Sequence, residues 1–312
     1  MTKIAIVGAG IAGLAAAHRL KEAGIDCTVI EKSRGPGGRM ATRRVDGLQF
    51  DHGAQYFTAR GTRFQSRVTE WQSQGAVAQW MPGRWVGTPR MTAPARSLAE
   101  GLPVIKGCRI TGLEGEPGRW RLAADPRSDA LAQRASFDAV IVAIPAPQAI
   151  PLVASAGVRF PELERVRYAP CVTLMLAFER STDVRDRALA PANGPVAWIA
   201  RNGTKPGRTG SIETLVAHAT PEWSRRHIDA DPDTTAKALL EALRPHIGDT
   251  RPVFQSVHRW LYARVEQPAG VPFLWDPLRK VGACGDWAGG PRVEAAFDSG
   301  DALATAVIAA HA

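Results

Sequence analysis

The chain has 312 residues, 45% hydrophobic and 22% charged, which excludes a disordered protein and allows one large domain or two closely joined ones. Its 39 basic and 30 acidic residues give a net charge of +9, read either as solubility alone or as attraction for phosphate-bearing small molecules; without a basic run interleaved with aromatics, nucleic acid is disfavoured. Four scattered cysteines with no CxxC exclude a sequence-evident zinc site and predict reduced thiols in a cytoplasmic setting, and no apolar run reaches the ~18 residues that span a bilayer.

Residues 3–7 read as a short apolar strand and 14–23 as an alanine-rich helix stopped by Gly24. The opening MTKIAIVGAGIAGLAAAHRL has glycines at turn spacing and His18, Arg19 and Lys21 at its far end, so it is read as retained structure, not a signal peptide. Residues 27–30 form a second buried strand, followed by the loop SRGPGGRM. Residues 109–124 alternate about a Gly-Glu-Pro-Gly turn and predict a hairpin. FDAVIVAIP is a continuous apolar run, the pattern of a central strand buried on both faces. From about 150 to 275, CVTLMLAFE, PVAWIAR, SIETLVAHA and VFQSVHRWLYA predict a mostly antiparallel sheet, with one helix at TTAKALLEALRPHI. The tail returns to strand, glycine loop and long helix. Residues 1–58, 92–148 and 276–312 are therefore expected to form one discontinuous nucleotide-binding domain, and 59–91 with 149–275 a substrate domain.

Gly8, Gly10 and Gly13 form GxGxxG between the first strand and the helix. The first glycine permits a tight turn, the second lets backbone amides approach a pyrophosphate, and the third lets helix pack close to strand. Ile11 and Ala12 belong to the same turn. Glu31 ends the second strand, where a carboxylate accepts hydrogen bonds from adenosine ribose hydroxyls and disfavours a 2′-phosphate. A second glycine pair, Gly37 and Gly38, precedes Arg39 and Met40. A nicotinamide-only domain has no need of this loop, whereas a flavin extends past the pyrophosphate, and Arg39 can neutralise a phosphate through forked hydrogen bonds. Near the C-terminus, Asp286 is placed to bind a polyol hydroxyl. The helix opening near Arg292 and Val293 aims free amides at the flavin N1/O2 edge, where negative charge develops on reduction. Lys32, Arg109, Ile110, Glu294 and Ala296 complete the expected cofactor contacts. Glycine turns that merely pack a core remain the competing reading of both ends.

Residues 50–60, FDHGAQYFTAR, crowd acid–base, carboxamide and aromatic groups into a stretch with no helical or strand period. Gly53 and Ala54 let backbone approach an isoalloxazine, and Gln55 offers a donor and an acceptor. Tyr56 and Phe57 provide flat walls for a planar substrate, with core packing as the competing reading. Thr58 is expected beside them, and Arg60 either reaches a substrate phosphate or carboxamide or forms an outward salt bridge. In HRWLYAR, His258, Trp260 and Tyr262 share strand parity and are expected as a wall opposite Tyr56, His258 being more readily structural than basic. Trp198, Arg201 and Asn202 in WIARNG either complete the pocket or pack sheet and turn.

Together IVGAGIAGL, KSRGPGGRM, FDHGAQYFTAR, WIARNGTKPGR, HRWLYAR and CGDWAGGPRVEAAFDSG resemble the FAD-dependent oxidoreductases of the amine-oxidase type, and within them the bacterial renalases. The resemblance covers nearly the whole chain. It implies FAD contacts at Ala12, Glu31, Arg39, Gln55, Tyr56, Asp286 and 292–296. The expected fold class is α/β, a Rossmann-like FAD-binding domain of glutathione-reductase type with a second α+β substrate domain on a mostly antiparallel sheet. The implied reaction is oxidation of misreduced 2- or 6-dihydronicotinamide dinucleotides to NAD(P)+, with the flavin reoxidised by O2 to give hydrogen peroxide. Between Trp80 and Trp85 stands only MPGR, shorter than the family pattern, which leaves the exact substrate open.

A dihydropyridine that loses hydride becomes an aromatic cation with no proton to remove, so alignment and a place for charge suffice. Amine oxidation in the resembling superfamily uses instead a lysine linked through water to flavin N5. Of seven lysines only Lys205, in NGTKPGR, lies in a candidate pocket loop, and its proline neighbour predicts a surface turn. A flavin amine oxidase or desaturase acting on another small molecule is thus the second expectation. An FAD-holding sensor without turnover and an NAD-dependent dehydrogenase follow. FAD is expected to be non-covalent, since no cysteine or histidine stands out as an anchor. The expected partners are a small molecule and O2, with neither nucleic acid nor membrane.

Overall fold

The computed structural model describes residues 2–126 and 135–310. Lys3–Val7 is buried from Ile4 onward and has no solvent face, which suits a parallel sheet covered on both sides. Six strands form that sheet in the spatial order Leu274–Asp276, Val281–Ala283, Ala139–Val142, Lys3–Val7, Asp26–Glu31 and Val104–Lys106. Neighbours run parallel except the first pair, which is antiparallel. The expected central strand is Ala139–Val142, fully buried, and the strand of the tail lies beside it.

The first helix, Ile11–Glu22, starts earlier than the expected 14–23 because the glycine turn itself forms its first turn. It packs against the C-terminal helix Val293–Ala309. At their crossing a Cβ on Gly300 would lie 1.9 Å from the Ala12 carbonyl oxygen, so the two backbones touch. Gly13 does the same on the strand side, where a Cβ would fall 2.0 Å from the Gly8 oxygen.

A second sheet of five strands runs Ala188–Leu189, Val196–Arg201, Glu213–Ala219, Arg167–Phe178 and Phe254–Gln267, all antiparallel. Side chains alternate across it. Leu174, Leu176, Leu215 and Ala217 meet Leu239, Leu243 and Ile247 of the helix Pro232–Ile247, whose N-cap Asp231 accepts the Thr234 N–H at 2.9 Å. Met175, Ala177 and Val216 turn the other way and close on Phe50 of the hairpin Thr42–Val45/Leu48–Asp51. Thr173 is registered opposite both His218 and His258, and His218 opposite Trp198, so these residues share the hairpin face. Among the described residues no helix is long and apolar enough to cross a membrane.

Replacing Gly300 with alanine is expected to destabilise the fold by about 1–3 kcal/mol through overpacking. Gly203→Ala, at a position where a Cβ meets nothing within 4 Å, is the control. A lower denaturant midpoint for Gly300→Ala alone is the expected result, and equal midpoints would contradict the helix contact.

Candidate active site

Gly8 adopts φ +109° at the end of the first strand, and Gly10 caps the following helix without any side-chain hydrogen bond. The space above Gly10 is open, since a Cβ there would meet nothing within 4 Å. Uncapped first-turn amides beside open space form an anion cradle. Buried Glu31 borders it: one carboxylate oxygen accepts the Ala9 N–H at 2.8 Å and the other the Ser33 N–H at 2.7 Å. Each oxygen keeps acceptor capacity. Arg109 and Ile110 follow directly, because the Cys108 N–H bonds the Glu31 carbonyl at 3.0 Å. Gly38, at φ +52°, brings the second glycine loop over the first, within 3.5 Å of the Gly10 Cα for a Cβ placed on it.

Arg39 and Asp286, expected to hold separate parts of the cofactor, bind each other in a two-pronged pair at 2.7 and 2.6 Å. Burial opposes the Arg39 charge, but Asp286 outweighs it and raises the guanidinium pKa. Gly53 lies against the same loop: a Cβ there would come 1.9 Å from the Arg39 carbonyl, which accepts the Ala54 N–H at 2.9 Å. At the last helix, Arg292 is an N-cap without a side-chain bond and Glu294 accepts the Arg60 and Gly61 N–H groups at 2.9 and 2.6 Å. Residues 8–13, 31, 37–40, 53–54 and 286–294 thus converge from both ends of the chain.

Asp51 is fully buried. It accepts hydrogen bonds from Thr42 Oγ1 at 2.7 Å, the Met91 N–H at 3.2 Å, Lys205 Nζ at 3.3 Å and the Arg208 guanidinium. Burial by itself would push its carboxyl up; Lys205 and Arg208 prevail and pull it down to about 2. Lys205 is lowered to about 8 by burial, with Asp51 resisting and Arg208 adding to the fall. One carboxylate between two cations leaves the lysine the less compensated. Lys205 Nζ also donates to Gln55 Oε1 at 3.2 Å, while Gln55 Nε2 donates to the carbonyls of Asp51 and Gly53 at 2.6 and 2.9 Å.

His52 lies beside Asp51, stacked on Trp260 at 5.2 Å with His258 edge-on at 4.8 Å. Trp260 Nε1 and Thr173 Oγ1 both donate to its carbonyl, at 3.0 and 3.2 Å. Burial lowers both His52 and His218 to about 4, and His258 is lowered as well, so these rings are neutral near pH 7. Tyr56 faces Trp198 at 5.7 Å, and the Arg84 guanidinium lies 4.6 Å from the Tyr56 ring centre and 5.5 Å from that of Trp198.

Several expected residues take other places. Lys205 is not on a surface turn: at 1% exposure it is among the largest fully buried side chains, because Asp51 gives it a charge partner inside. Phe57 is a core residue, edge-on to Phe64 and Trp71, because its backbone bridge to Trp85 turns it away from Tyr56. Asn202 is fully buried and its amide is engaged with backbone, donating to the Gln49 carbonyl at 2.9 Å and accepting the Asp51 N–H at 3.2 Å. His258 and Trp260 stand against His52, and Tyr262 against Tyr168, so the wall opposite Tyr56 is made by Trp198. Arg60 and Lys32 are exposed, Thr58 is half-buried, and Met40 is buried behind the second glycine loop. Asp51, Arg84, Arg208 and His218 join the site without a role expected from the sequence; FDHG and MPGR are the local signals, and their partners come from distant strands.

A parallel sheet that opens into an uncapped glycine cradle, with a buried carboxylate on its rim and a second glycine loop locked to the terminal segment, defines a dinucleotide-binding α/β protein. Residues 6–71 match the NAD(P)-binding Rossmann-like domain, and residues 68–308 match the flavin-containing amine oxidoreductases. The chain belongs to the flavin-containing amine oxidoreductase family, and its cofactor is FAD. Among curated proteins it is 53% identical over 77 residues to a zeta-carotene-forming phytoene desaturase of Myxococcus xanthus, covering 22% of this chain and 15% of that one. It is 49% identical over 76 residues to a 4,4'-diapophytoene desaturase of Staphylococcus aureus strain Newman, covering 21% and 15%. The match thus spans only 15% of the length of these desaturases. Cyclohexylamine oxidase from Brevibacterium oxydans IH-35A shares the fold at a TM-score of 0.74 and 14% identity, over 99% of both chains. A candidate protoporphyrinogen oxidase from Exiguobacterium sp. 255-15 does so at 0.77 and 14%, again over 99% of both. The open space over Gly10 and the spare acceptor capacity of Glu31 fit the phosphates and ribose of FAD.

Gly10 has an ordinary extended backbone, so Gly10→Ala is expected to fold normally yet lose most bound flavin, since the methyl fills the cradle. Flavin content and melting temperature of the purified variant measure the two effects separately. Asp51→Asn is expected to cost about 3–5 kcal/mol by leaving buried cations without a counter-charge. Lys205→Met, which removes the under-compensated cation, is expected to cost less. The order of the two unfolding midpoints is the check.

Proposed function

We propose that this chain is an FAD-dependent oxidase of dihydronicotinamide dinucleotides whose extra ring hydride sits at the 2 or 6 position, yielding NAD(P)+, with O2 as final acceptor and hydrogen peroxide as co-product. In this reading residues 1–58, 92–148 and 276–312 hold a non-covalent FAD, and 59–91 with 149–275 shape the substrate side. One observation carries it. Among the described residues the ionised groups touching Tyr56 and Gln55 are the cations Arg84 and Lys205, and the neighbouring carboxylate, Asp51, is already bound by Lys205 and Arg208.

Bound flavin supplies a two-electron acceptor for the hydride. The chain's own groups do the rest. Tyr56 and Trp198 offer planar faces, and the cations attract a substrate bearing phosphates. His52 and His218, held neutral by burial, are weak bases, which matches a substrate that loses no proton.

A second reading, amine oxidation or desaturation, has one observation in its favour: Lys205 is buried beside Gln55 with its pKa lowered to about 8. Its Nζ is engaged with Asp51 and Gln55, which fixes the segment instead of leaving a free base.

Anaerobic titration of the holoprotein with separated 2-, 4- and 6-dihydro isomers of NAD(P)H, followed at the flavin absorbance band, is the test. Stoichiometric bleaching by the 2- or 6-isomer is expected, with the 4-isomer slower by orders of magnitude. Bleaching by amines and by none of the isomers would replace the first reading with the second.

A further inference from the structure

The hairpin Val77–Met81/Arg84–Gly87 turns through Pro82 and Gly83, the latter at φ +68°, and Met81 is paired directly with Arg84. So short a turn leaves Arg84 little freedom of position. The next residue, Trp85, exchanges two backbone hydrogen bonds of 2.8 Å with Phe57, the neighbour of Tyr56. The hairpin is thus clamped to the reactive segment, and the Arg84 guanidinium lies over the rings of both Tyr56 and Trp198.

Two polar features of this cluster have no protein partner. Among the described residues Arg84 forms ring contacts but no ion pair or side-chain hydrogen bond, although it is half-buried. The indole Nε1 of Trp198 is buried and also without an acceptor. A buried N–H left without an acceptor is uncommon in a folded chain. A half-buried guanidinium normally finds a carboxylate, as Arg201 finds Glu213 at 2.7 Å and Arg39 finds Asp286 at 2.6 Å. The carboxylate of the adjoining segment, Asp51, is taken by Lys205 and Arg208. Unmatched donors of one sign, gathered beside a planar face, describe a receptor for an oxyanion attached to a flat ring.

We propose that Arg84 and the indole N–H of Trp198 form the site that recognises an oxyanion of the substrate, the phosphate next to the ring that lies on Tyr56. This rests on the dihydronicotinamide reading for the identity of the ring, but the oxyanion site is testable without turnover. Arg84 is a specificity-determining residue: it selects phosphate-bearing substrates over uncharged analogues. The hairpin sets its reach, so the short MPGR segment is the feature that sets the substrate's dimensions.

The test compares two oxidised ligands that share one ring, nicotinamide mononucleotide with its phosphate and nicotinamide riboside without it. Their binding to the oxidised holoprotein is followed by calorimetry and by perturbation of the flavin spectrum, for wild type, Arg84→Met, Arg84→Lys and Trp198→Phe. Wild type is expected to prefer the phosphorylated ligand about tenfold or more, as for a charge-assisted hydrogen bond. Arg84→Met should abolish the preference while leaving riboside affinity within about twofold, Arg84→Lys should keep part of it, and Trp198→Phe should reduce it. Flavin content confirms that each variant is loaded. An undiminished preference in Arg84→Met, or no preference in wild type, overturns the site. If neither nicotinamide ligand binds wild type, inorganic pyrophosphate is the deciding probe: binding that Arg84→Met loses supports the oxyanion site while the dihydronicotinamide reading fails, and absence of binding refutes the site.

Discussion

The Asp51 carboxylate is the point at which distant segments of the chain are tied together. It belongs to the hairpin Thr42–Val45/Leu48–Asp51 and holds Lys205 and Arg208, which come from the loop after the antiparallel strand Val196–Arg201. Through Lys205 it reaches Gln55, and through the Met91 N–H it reaches the segment after the second hairpin. A fully buried ion pair is a weak source of net stability, because desolvation cancels most of its attraction. Its value lies in geometry: three segments distant in sequence can satisfy one carboxylate in few arrangements. The position of Gln55 and Tyr56 relative to the antiparallel sheet follows from that restriction.

The antiparallel sheet gains its second face from strand alternation. Its leucines cover the helix Pro232–Ile247, and the residues between them turn toward the hairpin and residues 50–60. That inward row contains Thr173, His218, His258, Trp260 and Trp198, which seal the segment from below and beside. The two histidines of that row, His218 and His258, are held below their ordinary pKa by burial, so the row itself carries little charge near pH 7. The charges beside Tyr56 and Gln55 are those of Arg84 and Lys205.

Elements with local signatures were legible in the sequence. The glycine turn after Lys3–Val7, the apolar run of Ala139–Val142, the alternating strands and the helix after Asp231 follow from spacing, and spacing survives folding. The pairings of charge were not legible. Arg39 and Asp286 each read as a ligand for the cofactor, and nothing in either neighbourhood shows that they meet. Lys205 stands in a KPG turn, whose chemistry announces a bend and says nothing of its depth. Tyr56 and Phe57 are adjacent in a stretch without period, so the bridge between Phe57 and Trp85 decides which ring joins the core. Arg84 needed a contact with two rings from other segments before it meant anything. Local rules set the scaffold, and long-range contacts set the surroundings of Tyr56.

The contact between Gly300 and Ala12 joins the first helix to the last. A chain emerging from the ribosome from its N-terminus would carry its alanine-rich helix with one flank bare until residue 300 had appeared. Closure of the nucleotide layer is therefore a late event in biosynthesis. Such a topology has high contact order, which slows folding and lengthens the interval in which chaperones can act. FAD, which binds the folded chain, would stabilise that closed layer by mass action.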